Sequence, residues 1–402
     1  MPGSTDILTC GRFQLDLLDG GTGVGRFVYG RRYLARVDAV PLDPFSLPLL
    51  PTEFQTIKLG GLFGCLRDVA PDHWGRRIID RRRGAEDLTE FDYLVSPSRG
   101  RIGALSFGET PEPEPLPSAE IPGLHDLKEL REAAARVEED LPVDVEVEDL
   151  LAAGSSVGGA RPKTVVQDQH GIWLAKFPQR GDRWSNAPVE AAMLHLAAAC
   201  GIRVPEVRVE ALGDEQILLV SRFDREMSEQ GELRHRMVSA LTVLDLDDAV
   251  VDRAGWSYLA FADELQRWSA QPLEDKRELF RRVVFNALIS NSDDHPRNHA
   301  LIAPGRGWRL SPAYDLTPST ARSLERRDLA MIAGDHGRWA NRKNLLSSAP
   351  RFGFTPEDAN AQIDQAKAIV EDTWCPEILR VGGSEADCDA VRGAFAYPGF
   401  EL

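Results

Sequence analysis

The sequence predicts an α+β protein in two halves, the first rich in strands and the second mainly helical. Three observations carry that expectation. Short runs of β-forming residues, bounded by glycines, fill residues 1–108 and recur between 163 and 223. Apolar residues at helical spacing dominate 264–289 and 356–369. A stiff acidic stretch, GETPEPEPLP at 108–117, has the composition of a linker. The boundaries expected from this are a β-rich subdomain over 1–108, a Pro/Glu linker over 109–122, a second β-containing unit over 123–223 and a helical unit over 224–402.

Composition narrows the possibilities further. With 43% hydrophobic and 27% charged residues, the 402-residue chain is an ordinary globular protein and not a disordered one. A net charge of −16 argues against a surface that grips nucleic acid throughout. The five cysteines are scattered, with no C-x-x-C pair, so neither a disulfide framework nor a structural zinc site is expected. No stretch approaches the ~18 apolar residues of a membrane span. A cytoplasmic protein with no membrane contact is the expectation.

In chain order, Phe13–Leu18 and Gly25–Leu34 are expected as strands. Asp72, in the motif PDHWGRR, is placed to cap a helix whose end carries Arg81, Arg82 and Arg83, a solvated basic face. RGRIGALSF, 99–107, reads as a strand closing the first unit. Leu124–Val137 has the spacing of an amphipathic helix, and the acidic run 138–149 is expected at the surface. AGSSVGGARPK, 153–163, follows. Its glycines and serines are able to turn backbone N–H groups toward an anion, although such clusters are more often plain turns.

Lys163–Val166 and Gly171–Phe177 are expected to form a hairpin, with Ile172, Leu174 and Lys176 on one face of its second strand. A lysine on an apolar face needs a partner, or an edge from which it reaches water. Asn186 is expected to cap a helix with an apolar stripe, Val189, Ala192, Met193, Leu196 and Ala197, that ends at Gly201. Glu190, in its first turn, either pairs with Lys176 or complements the helix dipole. Strands are expected over 204–212 and 216–223, and a helix over 264–289.

Beyond that helix, Pro296 interrupts, and two short strands, His299–Ile302 and Trp308–Leu310, flank a PGRG turn. Asp293 precedes Asn298 by five residues, and Asp315 follows the hairpin. The D-x-x-x-x-N spacing followed by a further Asp is that of a kinase catalytic loop, where one Asp is the base and Asn and the second Asp hold magnesium. The order of parts is also that of a kinase: glycine loop, strand lysine, helix glutamate, catalytic loop, metal aspartate. The expected fold is a bilobal protein-kinase-like one, with a small β-rich N-terminal subdomain and a helical C-terminal lobe.

Taken together, GSSVGGARPK, WLAKFP, VSRFDR, NSDDHPRNHALI and LSPAYDLTP resemble the HipA family of serine/threonine kinases, toxins of bacterial type II toxin–antitoxin systems. PDHWGRR and RIGALSF resemble the same family's N-terminal unit. The resemblance implies ATP and magnesium as cofactors, with Asp293 the catalytic base, Asn298 and Asp315 the metal ligands and Lys176 the phosphate-binding lysine. It implies an ATP-binding loop of Ser156, Val157, Gly158, Gly159, Ala160, Arg161 and Lys163. Ser156, or its neighbour Ser155, becomes the expected autophosphorylation site. His295 joins the nucleotide-binding residues, a histidine that only braces the loop being the alternative. The expected partners are a HipB-like helix-turn-helix antitoxin, DNA through that antitoxin only, and a protein substrate, such as one used in translation. The segment RHRMVSALTV, 234–243, departs from the family pattern. Two other classes compete: a metal-dependent hydrolase using Asp293, Asp294, His295 and His299, and a non-catalytic nucleotide-binding co-repressor. The first leaves the glycine loop and Lys176 without a role; the second sits poorly with an intact set of four kinase residues.

Overall fold

The computed structural model describes residues 3–84, 88–96, 100–112, 121–152, 159, 161–247, 253–320, 323–395 and 397–402. It divides into two compact units that interleave along the chain. One comprises 1–175, 224–238 and 302–307; the other comprises 176–223, 239–301 and 308–402.

The first unit opens with a three-stranded antiparallel sheet, Gly11–Leu17, Gly23–Tyr29 and Glu53–Thr56. Phe13 pairs with Phe27, and Phe27 with Phe54, so aromatic residues share one face. The second strand stops at Tyr29, and Arg31–Leu34 is a helical turn where a strand was expected. Tyr33 is turned inward there, and its hydroxyl donates to the Val40 carbonyl at 2.7 Å. Helix His73–Arg83 is capped by Asp72, whose carboxylate accepts from Gly75 N at 2.7 Å. Arg82 and Arg83 are exposed, as expected, but the arginines before them are paired. Arg76 grips Glu90 through two bonds of 2.5 and 2.7 Å, Arg77 bonds Asp140 at 2.9 Å, and Arg81 bonds Glu148 at 3.3 Å. Most of the acidic run is exposed as expected, but Glu148 is buried in a helix, Val145–Ala152, and accepts this charge.

The expected strand at 99–107 is absent among its described residues. Gly103 has φ +73°, which a strand does not tolerate, and charged side chains occupy the backbone groups that a ladder would use. Arg101, 2% exposed, donates to the carbonyls of Val69, Leu94 and Ser96. Asp224 accepts from Gly103 N at 2.8 Å, and Arg225 donates to Gly103 O at 2.9 Å. The hairpin Lys163–Asp168 and Gly171–Lys176 forms as expected.

In the second unit, helix Asn186–Ala199 begins one residue beyond its N-cap, which is Ser185 and not Asn186. Ten of its fourteen residues are buried, so it is a core helix and not a one-sided stripe. It ends as expected, with Gly201 at φ +77°. Val207–Leu212 pairs antiparallel with Glu215–Ser221. The expected single helix over 264–289 is two helices, Tyr258–Trp268 and Pro272–Leu288. Pro272 lacks the N–H needed to continue the first helix but suits the first turn of the second. The last long helix extends past 369, as Pro356–Arg380.

The cysteine expectation needs correction. Cys375 and Cys388 are joined as a disulfide, with Cα atoms 5.6 Å apart, linking helices Pro356–Arg380 and Glu385–Val391. The turn between the helices brings together residues whose spacing carries no signature. Among the described residues, no helix is long and apolar enough to cross a membrane.

Candidate active site

Helix Pro272–Leu288 builds the site. Four of its residues, Asp275, Glu278, Arg282 and Asn286, are polar yet at most 2% exposed. Their spacing of three or four residues puts them in one row along the helix. Near its start, Asp275 accepts from Leu310 N at 2.9 Å and from the Arg309 guanidinium. Two turns further on, Arg282 donates to the Ser311 carbonyl and to Glu278. These contacts fix the strand that leads to Asp315. At the other end, Asn286 holds the loop that carries Asp293.

That loop is organised by Asp294 and not by Asp293. Asp294 is 1% exposed, and its Oδ2 takes Asn286 Nδ2 at 2.7 Å, the Tyr258 hydroxyl at 2.6 Å and His299 Nε2 at 2.8 Å. Burial, with the Asp294 charge beside it, pushes the Tyr258 hydroxyl well above its ordinary pKa, so Tyr258 keeps the proton it donates. Asn291 returns to Asn286 O through its backbone N–H at 2.8 Å. Asp293, by contrast, is exposed. Its backbone is held while its carboxylate meets solvent: the Asp293 carbonyl accepts from His295 N at 2.8 Å and from Asn298 Nδ2 at 3.0 Å.

The Asp315 segment is tied to the same loop. Tyr314 donates its hydroxyl to the Arg297 carbonyl at 2.8 Å, and the Ser292 and Ser319 hydroxyls are 3.0 Å apart. Asp315 has φ +58°, a left-handed conformation uncommon for a residue other than glycine and one that Asp tolerates. Its carboxylate accepts from Lys176 Nζ at 3.0 Å, and Glu190 accepts from the same nitrogen at 2.6 Å. Glu190 is therefore the lysine's partner, the question its sequence position left open. Burial works against the Lys176 ammonium, but Asp315 and Glu190 outweigh it, and its pKa is raised.

The remaining candidates lie as follows. His295 is half-buried, with its Nδ1 buried and without a hydrogen-bond partner and its ring 6.2 Å from that of Trp256. Lys163, in the first unit, is 2% exposed by its side chain, and its ammonium donates to Asp72 and to Gly159 O, both at 2.8 Å. Arg161 is half-buried. Ser155, Ser156, Val157, Gly158 and Ala160 lie outside the described residues. The geometry does not favour the hydrolase alternative. Among the described residues, no three side chains of the 293–299 set lie close enough to share an ion. Asp294 has moreover given its Oδ2 to three donors. Sequence reasoning missed the roles of Asp294, Tyr258 and Asn286. The available signal was the row of charged and amide residues at four-residue spacing, 278, 282 and 286, inside an apolar helix.

The chain is similar to known proteins over most of its length. Residues 155–374 match the HipA-like C-terminal domain, and residues 13–108 match the HipA N-terminal domain. The Sinorhizobium fredii protein Y4mE is 24% identical over 322 residues, covering 73% of this chain and 72% of that protein. The serine/threonine-protein kinase toxin HipA of Shewanella oneidensis is 26% identical over 161 residues, 36% of this chain and 37% of that one. A solved structure of HipA with HipB and operator DNA from Shewanella oneidensis superposes with a TM-score of 0.71 at 20% identity, over 95% of this chain and 92% of that one. The fold is thus α+β and kinase-like. The chain belongs to the HipA family, whose C-terminal domain alone matches more than half of it.

Two outcomes follow for the paired charges. Asp294→Ala should lower unfolding free energy by about 3–5 kcal/mol, because it strands three buried donors, while Asp293→Asn should change it by less than about 0.5 kcal/mol. Urea denaturation of both variants checks this; equal stabilities would remove Asp294 from its organising role. A lysine with a raised folded pKa contributes fully below its ordinary value near ~10.4 and loses that contribution only as pH rises through the folded value. The stability difference between wild type and Lys176→Met should therefore stay constant from about pH 6 to about pH 10. A difference that shrinks within that window would contradict the pairing.

Proposed function

We propose that this chain is an ATP- and magnesium-dependent serine/threonine protein kinase of the HipA type, a toxin that phosphorylates a protein target. The observation that carries the reading is the Lys176 ammonium held between Glu190 and Asp315. A kinase uses a strand lysine braced by a helix glutamate to bind phosphates, with a metal-binding aspartate beside them. A purely structural ion pair needs one acid, and here there are two, the second 40% exposed.

The residues fit the cofactors. Asn298 has committed its NH2 group to the Asp293 carbonyl, which leaves its amide oxygen, with the Asp315 carboxylate, as hard oxygen donors suited to magnesium. Magnesium bound there would neutralise charge on the phosphate oxygens. Lys176 would give up Asp315 and keep Glu190 as it takes a phosphate oxygen. Asp293 accepts the proton of the substrate hydroxyl as that oxygen bonds to the γ-phosphorus and the bond to the leaving β-phosphate oxygen breaks. His295, with an unpartnered buried ring nitrogen in the same loop, is the further candidate for contact with the nucleotide. Autophosphorylation at Ser156 or Ser155 would place added negative charge in the nucleotide-binding loop and repel ATP. A HipB-like helix-turn-helix protein is the proposed antitoxin, with DNA reached through it; the relative solved with HipB and operator DNA supports this choice.

Asp293→Asn should reduce phosphate transfer by ~10² to 10⁴ while leaving nucleotide affinity near wild type. Asp315→Ala should weaken both transfer and magnesium-dependent ATP binding. Calorimetry and labelled transfer distinguish the two variants; wild-type turnover in either would strip that residue of its role. Preincubation with ATP should inactivate the wild type but spare the variant lacking the modified serine. If the wild type, Ser155→Ala, Ser156→Ala and the double variant all keep equal activity and carry no phosphate in the loop, this self-inactivation does not occur.

A further inference from the structure

The motif PDHWGRR has no part in the chemistry above, yet it meets the glycine-rich segment at its exit. Lys163 Nζ is 2.8 Å from Asp72 Oδ2 and 2.8 Å from Gly159 O, and the two charged side chains are 2% and 9% exposed. Two residues along the same helix start, Trp74, 1% exposed, donates its indole N–H to the Lys163 carbonyl at 2.9 Å. Side chain and backbone of Lys163 are thus both held by one turn of helix His73–Arg83. Asp72 is fixed in turn, since its other oxygen caps that helix through Gly75 N at 2.7 Å. The entry side of the segment is held as well: Thr164 donates to the Leu150 carbonyl at 2.9 Å, and Arg81, on the same helix as Trp74, reaches Glu148 at 3.3 Å.

A lysine so enclosed is poorly suited to phosphate. To reach a nucleotide it would have to abandon a buried carboxylate and a carbonyl and leave Asp72 as an unpaired buried charge, a costly exchange. Gly159 has adapted to the ammonium: its φ is +111°, and a Cβ there would sit 3.0 Å from Lys163 Nζ. A strut of this kind does not need to touch ATP to matter, because backbone donors bind phosphate only when their direction is fixed.

We propose that Asp72 and Trp74 of the N-terminal domain are positioning residues, which act through Lys163 to fix Gly159 and the first strand after the nucleotide-binding loop. Lys163 is then an internal strut and not a phosphate ligand. This rests on the kinase reading for its consequence but not for its geometry. It gives the HipA N-terminal domain a direct hold on nucleotide affinity, so that any partner which displaces helix His73–Arg83 would alter ATP binding without touching the site.

The test uses the full chain. Asp72→Asn keeps the helix cap but removes the charge; Trp74→Phe keeps the packing but removes the indole donor. The double variant Asp72→Asn/Lys163→Met removes both buried charges and guards against simple misfolding. Hydrogen exchange of peptides covering 159–168 is measured in the absence of nucleotide, together with kcat and KM for ATP. Each single variant is expected to exchange on the order of tenfold faster there, with no change over 291–302, and to raise KM by a similar factor while kcat moves less than about twofold. The double variant should restore stability but not the KM. Unchanged exchange in both single variants overturns the strut, whether or not the protein transfers phosphate. Faster exchange with an unchanged KM overturns the positioning role. Faster exchange in a protein whose wild type never uses ATP supports the strut and instead removes the kinase reading.

Discussion

The row Asp275, Glu278, Arg282 and Asn286 on helix Pro272–Leu288 is the constraint on which the rest of the site depends. Polar groups buried this deeply are tolerated only when partnered: Asp275, Arg282 and Asn286 each find a partner on a segment that leads to a candidate residue, and Glu278 is held by Arg203 and Arg282. Asn286 passes the constraint to Asp294, and Asp294 to Tyr258 and His299, so the 291–299 loop has little freedom. Arg282 and Asp275 do the same for residues 309–311, from which the chain runs to Asp315. One rigid helix thereby sets both loops, and two acidic side chains far apart in sequence are referred to one frame. This is the way a fold pre-organises charges before any ligand arrives.

Two charge knots of opposite design lie within this unit. Asp294 is a sealed anion surrounded by three donors, and burial makes it structural. Lys176 is a cation between two acids, one of them partly open to solvent. Sealing the first makes it costly to break, which suits a scaffold. The second carries one acid more than neutrality requires, which suits the proposed exchange of a carboxylate for a phosphate. The adjacent residues Asp293 and Asp294 divide the same labour, one facing solvent and the other locked.

How much of this was legible in the sequence follows from the range of each interaction. The D-x-x-x-x-N spacing, the interruption at Pro296, the hairpin lysine and the Gly201 helix end are local patterns, and the structure carries each of them. Glu190 could be given either of two roles, because pairing it with Lys176 required knowing where a strand end meets a helix start. The strand expected at 99–107 failed because Asp224 and Arg225, more than a hundred residues away, capture the backbone groups of Arg101 and Gly103. The organising role of Asp294 was missed because the donors that gather on its side chain are invisible in a motif. The Cys375–Cys388 pair depends on a helix–turn–helix geometry that the spacing of the cysteines does not announce.

Charges arranged to move a phosphoryl group, as proposed, should leave a trace that phosphate mapping detects. The purified chain would be incubated with γ-labelled ATP and magnesium, and every modified residue located by mass spectrometry, with parallel samples in zinc and in chelator. A label on serine is expected in the presence of magnesium and is lost with chelator. Label that never appears on the chain or on any protein offered to it, with phosphate released to water only, would contradict the proposal.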